Sequence, residues 1–236
     1  MQYTNSQTLL KAIVSACKAA EASGCNYRNK ELIKKYQDYK NTGDTSILVL
    51  VLAKAVKGHV HQSRMKWGSV VKVILRILES GILLKAFNDF EKLYEAVKEL
   101  VKDIEFARGI LTRYDIAVNL GQLLETTVQP DKYLYLATHT SKTYKYIYGK
   151  KPKGICLKHS DVAGDFGGLS SVAIENLLCN FYSLFKKLDE ENIVTDDDIT
   201  NLVEKRMKRT VCIDWEFVKE KLAPFESEIM EFCNKN

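Results

Sequence analysis

Apolar residues along the chain recur at intervals of three and four positions, which is the spacing of helices with one buried face. The segments that carry such stripes are 6–22, 46–57, 69–80, 88–104, 110–124, 170–187, 195–207 and 214–234. The segment 46–57 is apolar nearly all round, and a helix of that kind belongs inside a core. The pattern therefore predicts an all-α protein with residues 46–57 near its centre.

Residues 88–124 predict two amphipathic helices joined by a tight turn, in the order NDFEKLYEAVKELVKDI, EFARG and ILTRYDIAVNLGQLL. Asn88 supplies a start signal of the capping-box type, and Thr112 with Asp115 supplies a second. Gly109 stands where the chain must reverse, a place that favours a residue tolerant of positive φ. The segment is therefore interpreted as a helical hairpin.

A hairpin of this kind can present backbone N–H groups to a phosphate, as helix-hairpin-helix DNA binders do, without reading the base sequence. The residues placed for that contact are Arg108, Gly109, Thr112 and Arg113. The alternative is an antiparallel helix pair whose turn only packs. Asp115 favours this alternative, because a carboxylate that satisfies the helix N-terminus competes with an incoming phosphate.

The segment GHVHQSR follows the buried helix, and its candidate functional residues are His59, His61, Gln62 and Arg64. Histidines two positions apart can chelate a metal with a further ligand such as His139, contact a phosphate or base, or form an acid–base pair near neutral pH. The alternative is a helix C-terminus whose imidazoles bond carbonyl groups. Because no further ligand stands at a recognisable spacing, no metal or other cofactor is expected.

Tyrosines and lysines interleave between residues 132 and 153, and Lys142 and Lys145 lie on a short helix predicted at 141–148. Aromatic rings between cations can stack on bases while the cations hold phosphates. The alternative is a set of half-buried tyrosines whose hydroxyl groups face water.

Composition narrows the class of protein. The 236 residues are 46% hydrophobic and 28% charged, which is typical of a soluble globular protein. A net charge of +5 permits a polyanionic partner without requiring one. Six cysteines without a CxxC pair favour a reducing compartment. The longest apolar run, 47–53, is too short to span a bilayer, so we expect a cytoplasmic protein with no membrane partner.

Five blocks of the sequence carry a resemblance to a known family. They are HVHQSRM at 59–65, FNDFEKLYEAV at 87–97, RGILTRYDIAVNLG at 108–121, PDKYLYLATHT at 130–140 and LSSVAIENLLC at 169–179. In order and spacing they resemble a little-characterised bacterial family related to the helix-hairpin-helix DNA glycosylases. The resemblance implies a glycosylase-like helical core at about 44–187. The helical pattern along the chain predicts a single mainly helical domain 1–236, with additional N-terminal helices and an appended C-terminal helical layer at 195–236.

The chain departs from the family pattern at the positions that carry the chemistry. The family's hairpin resembles G-I-G-x-L-T, whereas the segment from Gly109 to Thr112 is two residues shorter and lacks the second glycine. The lysine nucleophile of bifunctional glycosylases would fall at Leu111 or Thr112, and the usual aspartate within 136–139, where no carboxylate stands. Since a glycosylase needs that carboxylate, standard glycosylase activity is not expected. The four-cysteine spacing of an iron–sulfur cluster is also missing.

The first interpretation is therefore a protein that binds DNA without sequence specificity on a glycosylase-like scaffold. The hairpin residues would hold phosphate, and the 59–64 segment would line the same cleft. Two alternatives stay open. One is an enzyme with a different site built from His59, His61 and His139, and the other is a helical protein–protein interaction module. The sequence leaves the oligomeric state undetermined.

Overall fold

The computed structural model describes residues 1–22, 30–58, 62, 64–209 and 214–235. Within them the chain is mostly helical with a few short strands, which confirms the all-α class. The helices are α1 (Ser6–Ala22), α2 (Lys30–Thr42), α3 (Thr45–Lys57), α4 (Trp67–Ser80), α5 (Phe90–Leu100), α6 (Ile110–Gly121), α7 (Thr138–Tyr148), α8 (Ser171–Asn180), α9 (Tyr182–Glu191), α10 (Asp196–Arg209), α11 (Trp215–Leu222) and α12 (Glu226–Lys235). The strands are β1 (Gln2–Tyr3), β2 (Tyr133–Tyr135), β3 (Cys156–Lys158) and β4 (Val194–Thr195).

Contacts between Cα atoms divide the chain into two compact units. The first unit comprises residues 1–27 and 130–212, and the second comprises residues 28–129 and 213–236. The C-terminal layer expected at 195–236 is shared between them, because α10 belongs to the first unit whereas α11 and α12 belong to the second. The assignment of both units to one domain stays a prediction.

Helix α3 is the central element of the second unit, as its apolar circumference predicts. It packs against α2, α4, α6 and α11, and every residue from Leu48 to Val56 is buried. Asp44 caps its N-terminus by accepting a hydrogen bond from the Ser46 N–H at 2.8 Å. Packing of one apolar helix against four others removes apolar surface from water, which favours folding of this unit.

One charged residue, Lys54, lies within that buried helix and is 2% exposed. Its Nζ lies 3.4 Å from Oε2 of Glu31 and 4.1 Å from the centre of the Trp215 ring. A buried ammonium needs such compensation, because desolvation of an isolated charge costs several kcal/mol. The carboxylate and the ring face together supply it.

In the first unit, α1 packs against α7, α8, α9 and α10 around a continuous apolar core. Two short antiparallel pairs, β1 with β4 and β2 with β3, border this core. A capping box starts α10: the Asp198 N–H donates to Oγ1 of Thr195 at 3.2 Å, and the Thr195 N–H donates to Oδ2 of Asp198 at 2.9 Å.

Replacement of Gly121 by alanine should destabilise the second unit. A Cβ at this position would lie 2.2 Å from the carbonyl oxygen of Val128, whose N–H donates to the Gly121 carbonyl at 3.0 Å. We expect Gly121→Ala to lower the free energy of unfolding in urea by about 1–3 kcal/mol. Gly164→Ala is the matched control, since a Cβ there meets no atom within 4 Å. Equal stability of the two variants would contradict the described contact.

Candidate nucleic-acid interface

The first helix of the hairpin, α5, begins one residue later than the sequence signal indicates. Its N-cap is Asp89, whose Oδ1 accepts a hydrogen bond from the Lys92 N–H at 2.9 Å. The prediction that Asn88 caps the helix was therefore wrong, because the neighbouring carboxylate takes the extended backbone conformation of an N-cap. The helix ends at Leu100, and turns extend from there to Gly109.

The reversal of the chain occurs at Phe106 and not at Gly109. Phe106 takes a φ of +62°, whereas Gly109 has a φ of −69° and a ψ of 144°. Successive turns bury Val101, Ile104 and Ala107, and the left-handed residue lies between the last two. The expectation of positive φ at Gly109 was wrong. The extended backbone of Gly109 is instead that of a helix N-cap.

The second helix, α6, starts at Ile110, before the predicted capping box, so that prediction was wrong as well. Thr112 lies in the first turn of the helix. Asp115 lies in its second turn and is 9% exposed. Oδ2 of Asp115 accepts a hydrogen bond from Nε2 of Gln62 at 3.1 Å. The carboxylate that was expected to satisfy the helix N-terminus is therefore directed into the interior of the unit.

The N-terminus of α6 brings the four predicted phosphate-binding residues next to one another. The first main-chain hydrogen bond of the helix runs from the Arg113 N–H to the Gly109 carbonyl at 3.0 Å. The N–H groups of Ile110 to Thr112 come before this bond, at the helix start where N–H groups have no acceptor within the helix. Gly109 has no side chain with which to cap them. Arg108 and Gly109 are exposed, and Thr112 and Arg113 are half-buried. Nε of Arg113 is buried without a hydrogen-bond partner in the part of the chain that the structure describes.

An ion pair between Arg76 and Asp103 holds the end of α5 and the start of the turn that follows it. Arg76 of α4 donates to the Leu100 carbonyl at 2.8 Å and, through Nη2, to Oδ2 of Asp103 at 2.8 Å. The Arg76 guanidinium lowers the pKa of Asp103 to about 2, so this carboxylate stays ionised and paired. Glu105 is exposed in the same turn, and its charge opposes an incoming phosphate.

The segment after α3 is anchored on two sides. Lys57, at the end of α3, donates through Nζ to the carbonyl of Gln62 at 2.7 Å and also to that of Met65. Burial lowers the pKa of Lys57. The Gln62 side chain is 2% exposed and holds Asp115, whereas Arg64 is exposed. Gln62 therefore positions the segment, and Arg64 is available at its surface.

The predicted histidines are not brought together by any described contact. His59 and His61 lie outside the described residues. His139 belongs to the first unit, at the start of α7, whereas the 59–64 segment belongs to the second. Among the residues that the structure describes, no group of three His, Cys, Asp or Glu side chains is arranged to hold a metal ion.

Lys142 and Lys145 are exposed on α7, which extends one turn further toward the N-terminus than predicted. The exposed ring of His139 stacks on Tyr182 of α9, with 4.8 Å between centroids and 5° between planes. The sequence analysis missed Tyr182, because it lies on a different helix and no short-range pattern connects it to the 132–153 stretch.

The family resemblance would locate the glycosylase nucleophile at Leu111 or Thr112 and the glycosylase carboxylate within 136–139. Leu111 and Thr112 lie in the first turn of α6. Within 136–139, the buried Leu136 and the following Ala137 join β2 to α7, and Thr138 and the exposed His139 begin the helix. Neither place offers a lysine or a carboxylate.

Comparison of the chain with protein-family models, with curated proteins and with solved structures finds no match in any of the three. No helix in the described ranges is long and apolar enough to cross a membrane.

Loss of the buried amide of Gln62 should destabilise the second unit. Gln62→Met keeps the side-chain length but removes the donor to the buried Asp115 carboxylate, so we expect the free energy of unfolding to fall by about 1–3 kcal/mol. Gln37→Met is the control, since Gln37 is exposed on α2 and donates to Asn41 at 3.3 Å. It should change stability by no more than about 0.5 kcal/mol. Urea unfolding followed by circular dichroism measures both, and a neutral Gln62→Met would contradict the role of this bond.

Proposed function

We propose that this chain binds nucleic acid, and DNA in particular, without sequence specificity through the N-terminus of α6. The observation that carries the proposal is the position of the Asp115 carboxylate, which points into the interior and accepts a hydrogen bond from Gln62 at 3.1 Å. The first-turn N–H groups of α6 then face an exposed N-cap glycine with Arg108 beside it.

The chemistry of this terminus suits a phosphate diester. The helix dipole and the N–H groups that precede the helical ladder favour an anion at this end. Arg108 and Arg113 flank the same terminus and can add charge-assisted hydrogen bonds. Contacts to phosphate fix position on the strand but carry no sequence information, which accounts for the non-specific character of the proposal.

The contact is expected to be weak and salt-dependent. One helix terminus and two arginines correspond to about two or three phosphate contacts, and each contributes about 0.9 to the slope of log affinity against log salt concentration on duplex DNA. Affinities of other non-specific binders lie at about 10⁻⁴–10⁻⁶ M at physiological salt. The modest net charge of +5 is consistent with that range.

We further propose that the scaffold is glycosylase-like and does not perform base excision in the usual way. The support is the family resemblance together with the residues at the positions it defines. Leu111 and Thr112 cannot act as an amine nucleophile, and 136–139 supply no carboxylate to stabilise positive charge developing on the sugar.

A carboxylate introduced at Gly109 should strengthen the fold while it weakens DNA binding. The φ and ψ of Gly109 suit a capping residue, so Gly109→Asp should raise stability by a few tenths of a kcal/mol. The new side chain occupies the first-turn N–H groups and repels phosphate, so we expect duplex affinity at low salt to fall about tenfold.

Ser170→Asp is the matched control for that variant. Ser170 is the exposed N-cap of α8 in the first unit, and its Oγ accepts from the Ala173 N–H at 3.3 Å. It receives the same charge at another helix start and should leave duplex affinity unchanged. Equal losses in the two variants, or no loss with Gly109→Asp, would contradict phosphate binding at α6. Fluorescence anisotropy of a labelled duplex provides the measurement.

Two charge changes in the turn should act in opposite directions. Arg108→Gln removes a phosphate contact and should reduce the salt slope by about 0.9. Glu105→Gln removes a repulsive charge and should increase affinity at low salt. A salt titration of duplex binding measures both effects. Changes of the same sign in both variants would show that the turn does not face the DNA.

A further inference from the structure

Three rings cluster between α7 and α9 in the first unit. His139 and Tyr182 stack with 4.8 Å between centroids and 5° between planes, and the Tyr146 ring lies 6.0 Å from that of Tyr182 at 37°. His139 and Tyr146 are seven positions apart, two turns of helix, so both lie on the face of α7 directed at α9.

A buried hydrogen bond between α7 and α8 fixes the helix that carries two of these rings. Oγ1 of Thr143 is buried and donates to the Leu178 carbonyl of α8 at 2.7 Å, which fixes α7 in the core. Burial raises the pKa of the Tyr146 phenol, and a hydrogen bond with Tyr182 raises it further, so the hydroxyl stays protonated. The three rings are therefore presented on a helix that is itself anchored in the core.

The charges around this cluster differ between its two ends. Lys142 lies beside the His139 end, with its Nζ 5.8 Å from the centre of the Tyr182 ring, whereas the exposed Lys145 directly precedes Tyr146 on α7. The first turn of α7 contains no acidic residue. Asp189 and Glu190 act on Tyr146 at the other end, where Glu190 also pairs with Lys186 at 3.3 Å. The His139 end is therefore the cationic end.

We infer that this surface binds single-stranded nucleic acid, with a base stacked at the ring pair of exposed His139 and half-buried Tyr182 and with an adjacent phosphate held by Lys142. Sequence-tolerant binding of single strands combines aromatic rings with cations in this way. The bases of a duplex are paired and stacked inside it, where surface rings cannot stack on them. A ring pair at the protein surface therefore selects an unpaired strand. The inference rests on the proposed binding of nucleic acid but uses other residues, and it assigns functions to His139 and Tyr182 beyond those of the α6 site.

The first test uses the unaltered protein and two probes of equal length and charge. One is a labelled oligo-dT of about 12 nucleotides, which lies within the range of single-strand site sizes, and the other is its abasic counterpart. Stacking of one base predicts that anisotropy will show about fivefold or tighter binding of oligo-dT. Equal affinities for the two probes would overturn the inference, because they would show that only phosphates are bound.

Variants of Tyr182 then identify the surface. Tyr182→Leu should abolish the preference for oligo-dT over the abasic strand, while the salt slope on either probe stays unchanged. Tyr182→Phe keeps the ring and should keep the preference. Tyr39→Leu is the matched control, since Tyr39 is also half-buried on a helix and stacks on Tyr36 at 5.8 Å in the second unit. Loss of the preference in the control, its retention in Tyr182→Leu, or equal loss in Tyr182→Phe would overturn the inference.

The lysine contact has a separate readout. Lys142→Gln should reduce the salt slope for oligo-dT by about 0.7, the contribution of one phosphate contact on a single strand, and should leave the preference over the abasic strand intact. An unchanged slope would overturn the assignment of Lys142.

The α6 proposal and this inference fail separately. If Gly109→Asp weakens duplex binding but the two single-stranded probes bind equally, the single-strand surface is overturned and the α6 proposal stands. If Tyr182→Leu abolishes a clear oligo-dT preference while Gly109→Asp leaves duplex affinity unchanged, the α6 proposal fails and the single-strand surface stands.

Discussion

The buried hydrogen bond from Gln62 to Asp115 is the interaction on which the proposed site depends. It joins a segment that follows α3 to the second turn of α6, and it lies where both side chains are at least nine-tenths buried. The bond settles two matters at once. It gives a buried carboxylate a hydrogen-bond donor, which offsets part of the cost of its desolvation. It also directs that negative charge away from the helix end proposed to bind a phosphate. Lys57 completes the arrangement by holding the main chain of the same segment.

Both units follow the same physical rule. Apolar helix faces provide the core, and a polar group from each unit shows how such a group is compensated within a few ångströms. Lys54 meets Glu31 and the Trp215 ring in the second unit, and Thr143 bonds a carbonyl of α8 in the first. These polar contacts contribute little net energy compared with apolar burial. Their effect is to define how one helix is placed against the next, and so which groups remain at the surface.

Local signals in the sequence were sufficient for much of the fold and for little of the site. The helical stripes depend on residues three and four positions apart, so the sequence alone predicted the all-α class and the burial of α3. The α5–α6 turn was predicted less well, because its positive φ falls at Phe106, a residue type that gives no local signal for that conformation, and not at Gly109. The partner of Asp115 lies 53 positions away, and no periodicity reports it. The stacking of His139 on Tyr182 likewise depends on how α7 packs against α9, which is a property of the folded chain.

The central claim is that phosphates of nucleic acid bind at the first turn of α6, and backbone amide chemical shifts test it most directly. A ¹⁵N-labelled sample would be titrated with a short duplex at low salt, and the amide resonances of residues 109–113 would be compared with those of the remaining helix starts. The account predicts the largest shifts at the amides of Ile110 to Thr112, with reversal on addition of salt. Shifts confined to other helix starts, with these amides unmoved at saturating duplex, would contradict it.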